Sequence, residues 1–295
     1  MTIFYKLHQR LNRLLSPQPS PALSPQPAPA LIKDYYNPDF FGNKMFSNPG
    51  DLGIDLGMLK GIPLGQFKDK GEIGYLLHNL RSGQTVLDIG ANIGYFTVLF
   101  SRAVGESGKV LSFEPGPLSF ALLQANIRVN CLSQSLAFNT AVGDKNGTID
   151  LFLCRTGESD NRIEGTLSDH ADRDRIEVPI VVIDDFLAER EIAKIDYVKI
   201  DVQGAEWSVL SGMRRTIQKN PDIHIILEYA PGGIRATGKE PIEFLTFIRS
   251  LGLAIFALPE DGPSVEVDDE YLLINIGGPS RTQTNLVLRH IVSKD

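Results

Sequence analysis

Short apolar runs alternate with helical segments along most of this chain, and this alternation constrains the fold more than any other feature. Beyond Gly83, apolar runs predict strands, and helical periodicity follows most of them. Strands that are apolar along their whole length are buried on both faces, which requires a parallel sheet covered on both sides. We therefore expect an α/β, Rossmann-like, mostly parallel sheet with helices on both faces.

Seven segments are predicted to form the strands of this sheet: residues 85–89, 109–114, 136–141, 197–201, 223–228, 253–257 and 285–289. Six segments are predicted to be helical: residues 70–81, 94–103, 117–130, 183–190, 205–220 and 241–251. Two further apolar runs, residues 148–153 and 176–182, interrupt the alternation. They predict a β-hairpin inserted between the third and fourth strands.

The first 82 residues differ in composition from the rest of the chain. Residues 1–15 predict a basic amphipathic helix, which would either dock on a membrane surface or partner protein, or cap its own domain. Residues 16–30 contain six prolines and predict an extended linker. Residues 31–82 predict a cap segment, whose first part, residues 31–65, is rich in aromatic residues but broken by Gly and Pro and is expected to form irregular structure and short helices. The principal domain is expected over residues 83–295.

The charge distribution argues against nucleic acid as the main partner. The chain has 29 Lys and Arg against 36 Asp and Glu, a net charge of -7. Residues 1–15 contribute +3, so the remainder carries -10. An acidic body repels phosphate backbones. Because no apolar run approaches the ~20 residues needed to span a bilayer, we expect a cytoplasmic protein.

The segment VLDIGANIGYFT, residues 86–97, predicts a ligand-binding turn. An apolar strand ends near Asp88, and the chain then turns through Gly90 and Gly94 into a helix. Glycine tolerates positive φ and lets bare backbone approach a neighbour. The ligand of such a turn lies in the crevice at the carboxyl end of the strand. The G-x-x-x-G spacing differs from the G-x-G-x-x-G that holds a pyrophosphate.

Glu114 ends the second predicted strand, 24 residues beyond Gly90. A carboxylate at that place can accept hydrogen bonds from two adjacent ribose hydroxyls. Asp88 adds a second carboxylate, which suits a cationic ligand that carries an amino acid. Together these features predict a nucleotide-type ligand and favour S-adenosyl-L-methionine over a dinucleotide.

Three blocks of sequence carry a family resemblance. They are DIGANIGYFT at 88–97, FEP at 113–115 and VKIDVQGAEWSVLSGM at 198–213, and in this order they resemble the FkbM-type methyltransferase family. The resemblance covers roughly residues 72–257. It implies a seven-stranded sheet with one antiparallel strand, and methylation of hydroxyl groups on sugars, lipids and secondary metabolites.

The resemblance also assigns cofactor-binding residues by position. It implies that the methionine part is held by Asp88, Gly90, Asn92 and Gly94, the ribose by Glu114, and the adenine by a segment including Ala141 and Val142. One position departs from the family pattern, because the family commonly has an acid where this chain has Gln203. We interpret the glutamine as a near-isosteric replacement with a structural role.

Methyl transfer from a sulfonium requires an aligned nucleophile and, for a hydroxyl, removal of a proton. Asp201 ends the fourth predicted strand beside the first, and is expected to act as base or orienting group. Glu228 ends the fifth, and His170 lies in the polar insert; both are further catalytic candidates. Asp201 and Glu228 together could hold Mg²⁺, but a metal-free site is favoured.

Four functions remain open at this point. The preferred one is an S-adenosylmethionine-dependent O-methyltransferase acting on a small hydroxylated acceptor. An N-methyltransferase needs less of a base and is not separated from it by the sequence. A non-catalytic cofactor-binding scaffold has no need to retain Asp88, Glu114 and Asp201 together. A nicotinamide dehydrogenase is disfavoured by the glycine spacing.

Overall fold

The computed structural model describes residues 36–40, 43–46, 70–154, 161–163, 173–259, 263–276 and 283–291. The amphipathic segment 1–15, the proline-rich segment 16–30 and His170 lie outside the described residues. The described strands are, in chain order, β1 Tyr36–Phe40, β2 Asn43–Phe46, β3 Thr85–Ile89, β4 Lys109–Phe113, β5 Ser135–Phe138, β6 Ala141–Val142, β7 Gly147–Cys154, β8 Arg162–Ile163, β9 Arg173–Val181, β10 Tyr197–Ile200, β11 His224–Tyr229, β12 Leu253–Ala257, β13 Val265–Glu266 and β14 Thr284–His290.

The main sheet has the strand order β13-β12-β14-β11-β10-β3-β4-β5. Strands β11, β10, β3, β4 and β5 are parallel neighbours, while β14 runs antiparallel between β11 and β12. The predicted Rossmann-like α/β sheet with one antiparallel strand among seven is therefore confirmed. It gains an eighth member, the two-residue edge strand β13, which pairs antiparallel with β12. The carboxyl ends of β3, β4, β10 and β11 share one edge, called the carboxyl edge below.

The described helices are α1 Lys70–Asn79, α2 Tyr95–Val104, α3 Pro117–Val129, α4 Ile183–Glu189, α5 Glu206–Ser211, α6 Arg214–Lys219, α7 Pro231–Ala236, α8 Pro241–Ser250 and α9 Asp269–Asn275. The single helix predicted over 205–220 is wrong, because α5 and α6 are separate. Asp184 accepts hydrogen bonds from the main-chain N–H groups of Arg215 and Thr216, at 2.8 and 2.7 Å. This distant carboxylate therefore caps a new helix start.

The predicted hairpin is present as β7 and β9, which pair antiparallel over eight residues. It does not join the main sheet. Strand β6 pairs parallel with β9, and β8 pairs with β7, so that the insert forms a separate four-stranded sheet. The third predicted strand is accordingly divided into β5 and β6.

Between residues 31 and 65, the described residues form a β-hairpin, not the irregular structure or short helices predicted there, whereas α1 agrees with the helix predicted over residues 70–81. Strands β1 and β2 pair antiparallel, and Phe46 exchanges main-chain hydrogen bonds with the side chain of Asn126 on α3. The same Asn126 amide donates to the carbonyl of Ile93, at 2.7 Å. The hairpin is therefore held beside the turn that follows β3.

Alternating side chains of the central strands supply the core on both faces of the sheet. In β3, Val86 packs with residues of α1 and α2, whereas Leu87 packs on the opposite face with residues of α4 to α8. Both side chains are fully buried. None of the described helices has the length and apolarity needed to cross a bilayer.

Candidate active site

The turn after β3 has the backbone conformation that its glycines predict. Gly90, Asn92 and Gly94 have φ values of 81°, 49° and 91°. The main-chain N–H groups of Gly90 and Ala91 both donate to the carbonyl of Phe113 at the end of β4, at 3.0 Å each. Gly94 precedes α2 directly. The turn is thus held to the neighbouring strand end and delivers the chain into the helix.

Gly90 also makes the closest backbone approach at the site. A Cβ atom built on Gly90 would collide with the main-chain carbonyl of Asp201. The main-chain N–H of Asp201 donates to the carbonyl of Ile89, at 2.9 Å. The absent side chain at position 90 therefore lets the end of β10 lie directly against the turn. Gly90 is therefore needed for close packing of the turn against the end of β10, whether or not its backbone also contacts a ligand.

Asp88 lies beneath the turn instead of on the carboxyl edge. The residue is 1% exposed, and its Oδ2 accepts a hydrogen bond from the Thr97 hydroxyl on α2, at 2.6 Å. Burial raises the pKa of Asp88 to about 6, against the opposing effects of Lys199 and the Thr97 hydrogen bond. The expected contact of Asp88 with the methionine part stays a prediction, and the contacts of this carboxylate in the structure are with other residues of the chain.

Lys199 is a charged site residue that the sequence reasoning missed. It faces Asp88 across the β10–β3 pair, and its side chain is 5% exposed. Its Nζ lies 2.9 Å from Asp201 Oδ2 and 4.4 Å from the ring centroid of Phe96. Burial alone lowers its pKa, but Asp201, Glu72 and Asp88 outweigh burial, and the pKa is raised. The available signal was a lysine within the apolar run YVKID.

Asp201 follows β10 and places a partly exposed carboxylate on the carboxyl edge. The side chain is 40% exposed. Oδ2 accepts a hydrogen bond from the Lys199 ammonium, and Oδ1 accepts one from Gln203 Nε2, each at 2.9 Å. Both oxygens therefore have donors that fix the orientation of the carboxylate.

Glu228 lies near the end of β11, in the strand next to β10. Because Ile200 pairs with Leu227, Asp201 and Glu228 follow at the same level of the sheet. The Glu228 carboxylate accepts a hydrogen bond from the Gln283 side chain, just before β14. Two of the three catalytic candidates therefore lie on one edge, while His170 lies outside the described residues.

Glu114 follows β4, and its carboxylate already organises the turn. The residue is 6% exposed. Its two oxygens accept the main-chain N–H groups of Asn92 and Gly116, at 2.9 and 2.7 Å. Among the described residues, the buried Asn92 Oδ1 and the buried Ser119 Oγ have no hydrogen-bond partner. Such atoms beside a conformationally special turn are suited to a polar ligand.

Ala141 and Val142 form β6, and both side chains are buried. Ala141 packs in the apolar cluster of the second sheet and Val142 in that of the main sheet. Within the described ranges, no group of three or more His, Cys, Asp or Glu side chains is arranged to hold a metal ion.

The residues present fit an adenosine carrying a charged amino acid. The turn has two glycines at positive φ, Asn92 and Ser119 offer unsatisfied polar atoms, and Glu114 offers a carboxylate at the adjacent strand end. Asp201 lies on the other side of the same turn.

The match to a family model identifies the family of this chain. The model of the methyltransferase FkbM domain matches residues 88–252, which is more than half of the chain. The chain is 32% identical over 169 residues to the 31-O-demethyl-FK506 methyltransferase FkbM of Streptomyces tacrolimicus, covering 47% of this chain and 64% of the relative. It is 30% identical over 152 residues to the 2-O-methyltransferase NoeI of Sinorhizobium fredii, covering 47% and 61%.

These two matches span less than two thirds of each relative's length. Among solved structures, the methyltransferase FkbM from Methylobacillus flagellatus is similar with a TM-score of 0.42 and 17% identity, covering 79% of this chain and 55% of that one.

Proposed function

This chain belongs to the methyltransferase FkbM domain family, and from that premise we propose that it is an S-adenosyl-L-methionine-dependent O-methyltransferase. The proposed acceptor is a small hydroxylated molecule, such as a sugar, lipid or secondary metabolite. The names of two relatives support oxygen as the methylated atom, since one is a 2-O-methyltransferase and the other a 31-O-demethyl-FK506 methyltransferase. Neither a nucleic-acid partner nor a required metal ion is part of the proposal.

The observation that carries the proposal is the contact between the glycine turn and Asp201. Gly90 lies against the main chain of Asp201, so a carboxylate with 40% exposure stands beside the turn assigned to the cofactor. Glu114, on the opposite side of that turn, would hold the ribose hydroxyls. Gly90, Asn92 and Gly94 would border the methionine part, with Asn92 Oδ1 as an available acceptor.

When bound, the cofactor supplies an activated methyl group attached to a good leaving group. The tasks left to this chain are alignment, exclusion of water and management of one proton. Asp201 would accept a hydrogen bond from the acceptor hydroxyl and take its proton as the new C–O bond forms. Lys199 and Gln203 hold that carboxylate in one orientation. Glu228, at the same level of the sheet, would orient a second polar group of the acceptor.

The second candidate is N-methylation, which requires less proton removal and would leave Asp201 as an orienting group. The third is a scaffold that binds the cofactor without turnover. The buried charge network beneath the turn argues for catalysis, because a scaffold gains nothing from a carboxylate held by two donors on an open edge.

The first experiment is a calorimetric titration of the chain with S-adenosylhomocysteine, with NAD⁺ titrated in parallel. We expect saturable binding of one S-adenosylhomocysteine per chain and none of NAD⁺. A folded sample that binds neither would overturn the proposal, and one that binds only NAD⁺ would replace it with a dehydrogenase. Hydroxylated and amine acceptors are then screened with labelled S-adenosylmethionine, with EDTA and with Mg²⁺.

A further inference from the structure

Arg162, a residue of the second sheet to which the proposed mechanism gives no role, donates a hydrogen bond to the loop that follows β10. We infer that Arg162, acting through Gln203, positions the carboxylate of Asp201. Arg162 and Gln203 are thus positioning residues for the methyl-transfer site. The inference rests on the proposed function and deepens it, by connecting the inserted sheet to the proposed base.

The first step of the argument is the backbone of Gln203. Its φ is 53°, in the left-handed region that non-glycine residues seldom occupy. Such a conformation persists where its surroundings hold it. In this conformation the Gln203 side chain reaches back over the loop, and its Nε2 donates to Asp201 Oδ1, at 2.9 Å. Asp201 therefore depends on a residue with strained backbone for a hydrogen bond to its Oδ1.

The second step is what holds that strained residue. Arg162 in β8 donates from Nη1 to the main-chain carbonyl of Gln203, at 3.2 Å. From the other side, Glu206 accepts the N–H groups of Val202 and Gly204, at 3.4 and 3.2 Å. The loop is therefore tied at both ends and at its centre. The central tie comes from the inserted sheet.

The third step is the second oxygen of Asp201. Lys199 reaches Oδ2 from below, and its buried side chain lies against the ring of Phe96. Lys199 thus supplies a fixed donor, while Gln203 supplies one that depends on the loop. A loss of the Arg162 tie would weaken the Gln203 hydrogen bond to Oδ1 and leave the Lys199 contact with Oδ2 in place.

The choice of glutamine at position 203 follows from this arrangement. Nε2 donates, whereas the acid common at this position in the family would set an acceptor against an acceptor at the same distance. In this chain the Gln203 amide therefore stabilises the negative charge of Asp201, whereas two facing carboxylates would have to share a proton. Gln203 is a determinant of the protonation and orientation of Asp201, in addition to its role in the loop.

The experiment follows Asp201 directly, without cofactor or acceptor. The chain is labelled with ¹³C at the aspartate side-chain carboxyl carbon, and the Asp201 resonance is assigned by its absence in Asp201→Asn. We expect Arg162→Met and Gln203→Met to shift or broaden this resonance in the same way, and the double variant to add little. Arg162→Lys, which keeps a donor, should restore it in part. Gln203→Glu should raise the pH at which the resonance titrates.

The matched control is Arg175→Met, which removes another arginine of the second sheet, one that pairs with Asp150. It should leave the Asp201 resonance in place. If the Asp201 resonance changes in Gln203→Met but stays unchanged in Arg162→Met, Arg162 does not position Asp201. If Arg162→Met does not fold, the shorter, uncharged Arg162→Gln takes its place, and an unchanged Asp201 resonance in that variant would overturn the inference. Titration of the wild type with S-adenosylhomocysteine tests the proposed function separately.

Discussion

Gly90 lies against the main-chain carbonyl of Asp201, so closely that position 90 has no room for a Cβ atom. This contact joins the two parts of the site, because one residue belongs to the turn assigned to the cofactor and the other is the proposed base. The positive φ of Gly90 adds a second reason for glycine. The geometry between cofactor and base therefore depends on an absent side chain.

Gly90→Ala is expected to lower the free energy of unfolding by about 2 kcal/mol or more, since strain in φ adds to a collision with main chain. Binding of S-adenosylhomocysteine should weaken at the same time. Gly74→Ala is the matched control, because Gly74 lies exposed in α1 with no atom near its absent Cβ. It should stabilise the chain by about 0.5–1 kcal/mol. Denaturant unfolding and calorimetry measure both. Equal effects of the two substitutions would contradict the interpretation.

Asp201→Asn is expected to leave the affinity for S-adenosylhomocysteine within a few-fold and to reduce turnover about 10²- to 10⁴-fold, because it removes the proton acceptor. Initial rates with an acceptor from the screen measure this. Asp222→Asn is the control, because Asp222 is exposed and its carboxylate makes a long ion pair, 4.0 Å, with the Lys194 ammonium. Unchanged turnover in Asp201→Asn would remove Asp201 from the mechanism.

Asp88 predicts a pH dependence of stability. Folding raises its pKa to about 6 through burial, so the native chain binds this proton more tightly than the unfolded chain. Its contribution to the free energy of unfolding therefore falls as the pH rises from about 4 to 6, by on the order of 3 kcal/mol.

The measurement compares wild type with Asp88→Asn by urea unfolding between pH 4 and 8. The stability of the wild type relative to the variant should decrease through the window from about pH 4 to 6 and level off above it. A relative stability that instead rose across this window would show that Asp88 is ionised more easily in the folded chain.

Lys199→Met should lower the free energy of unfolding by about 3–5 kcal/mol, because Asp88 would be left buried without its facing cation. The double variant Asp88→Asn with Lys199→Met should lose less than the sum of the single variants. Urea unfolding at pH 7 measures the cycle. Strict additivity would mean that the two side chains do not interact.

Glu114→Gln should weaken binding of S-adenosylhomocysteine about tenfold or more. The substituted amide nitrogen cannot accept the Asn92 or Gly116 N–H group, and the ribose would lose a charged acceptor. Glu106→Gln, in the exposed turn between α2 and β4, is the control and should bind as the wild type does. Equal affinities of the two variants would remove Glu114 from the cofactor site.

Much of the sheet could be predicted from local sequence. The predicted bounds of β3 and β12 agree with the structure, because each strand is a short, largely apolar run bounded by glycine- or proline-containing segments. The positive φ values at Gly90 and Gly94 follow from the same local chemistry. The second sheet was only partly predicted, since two-residue strands such as β6 and β8 carry no periodicity.

The sequence by itself determined the alternation of strands and helices, the glycine turn and the acids at the ends of β4 and β10, because these depend on residue type and spacing along the chain. Tertiary structure decided what no spacing records. The packing of strands and helices buried Asp88 and placed Lys199 beside Asp201. It also divided one predicted helix, at the point where Asp184 accepts hydrogen bonds from two main-chain N–H groups. Burial and charge pairing depend on which strands become neighbours, and that is settled only when the sheet forms.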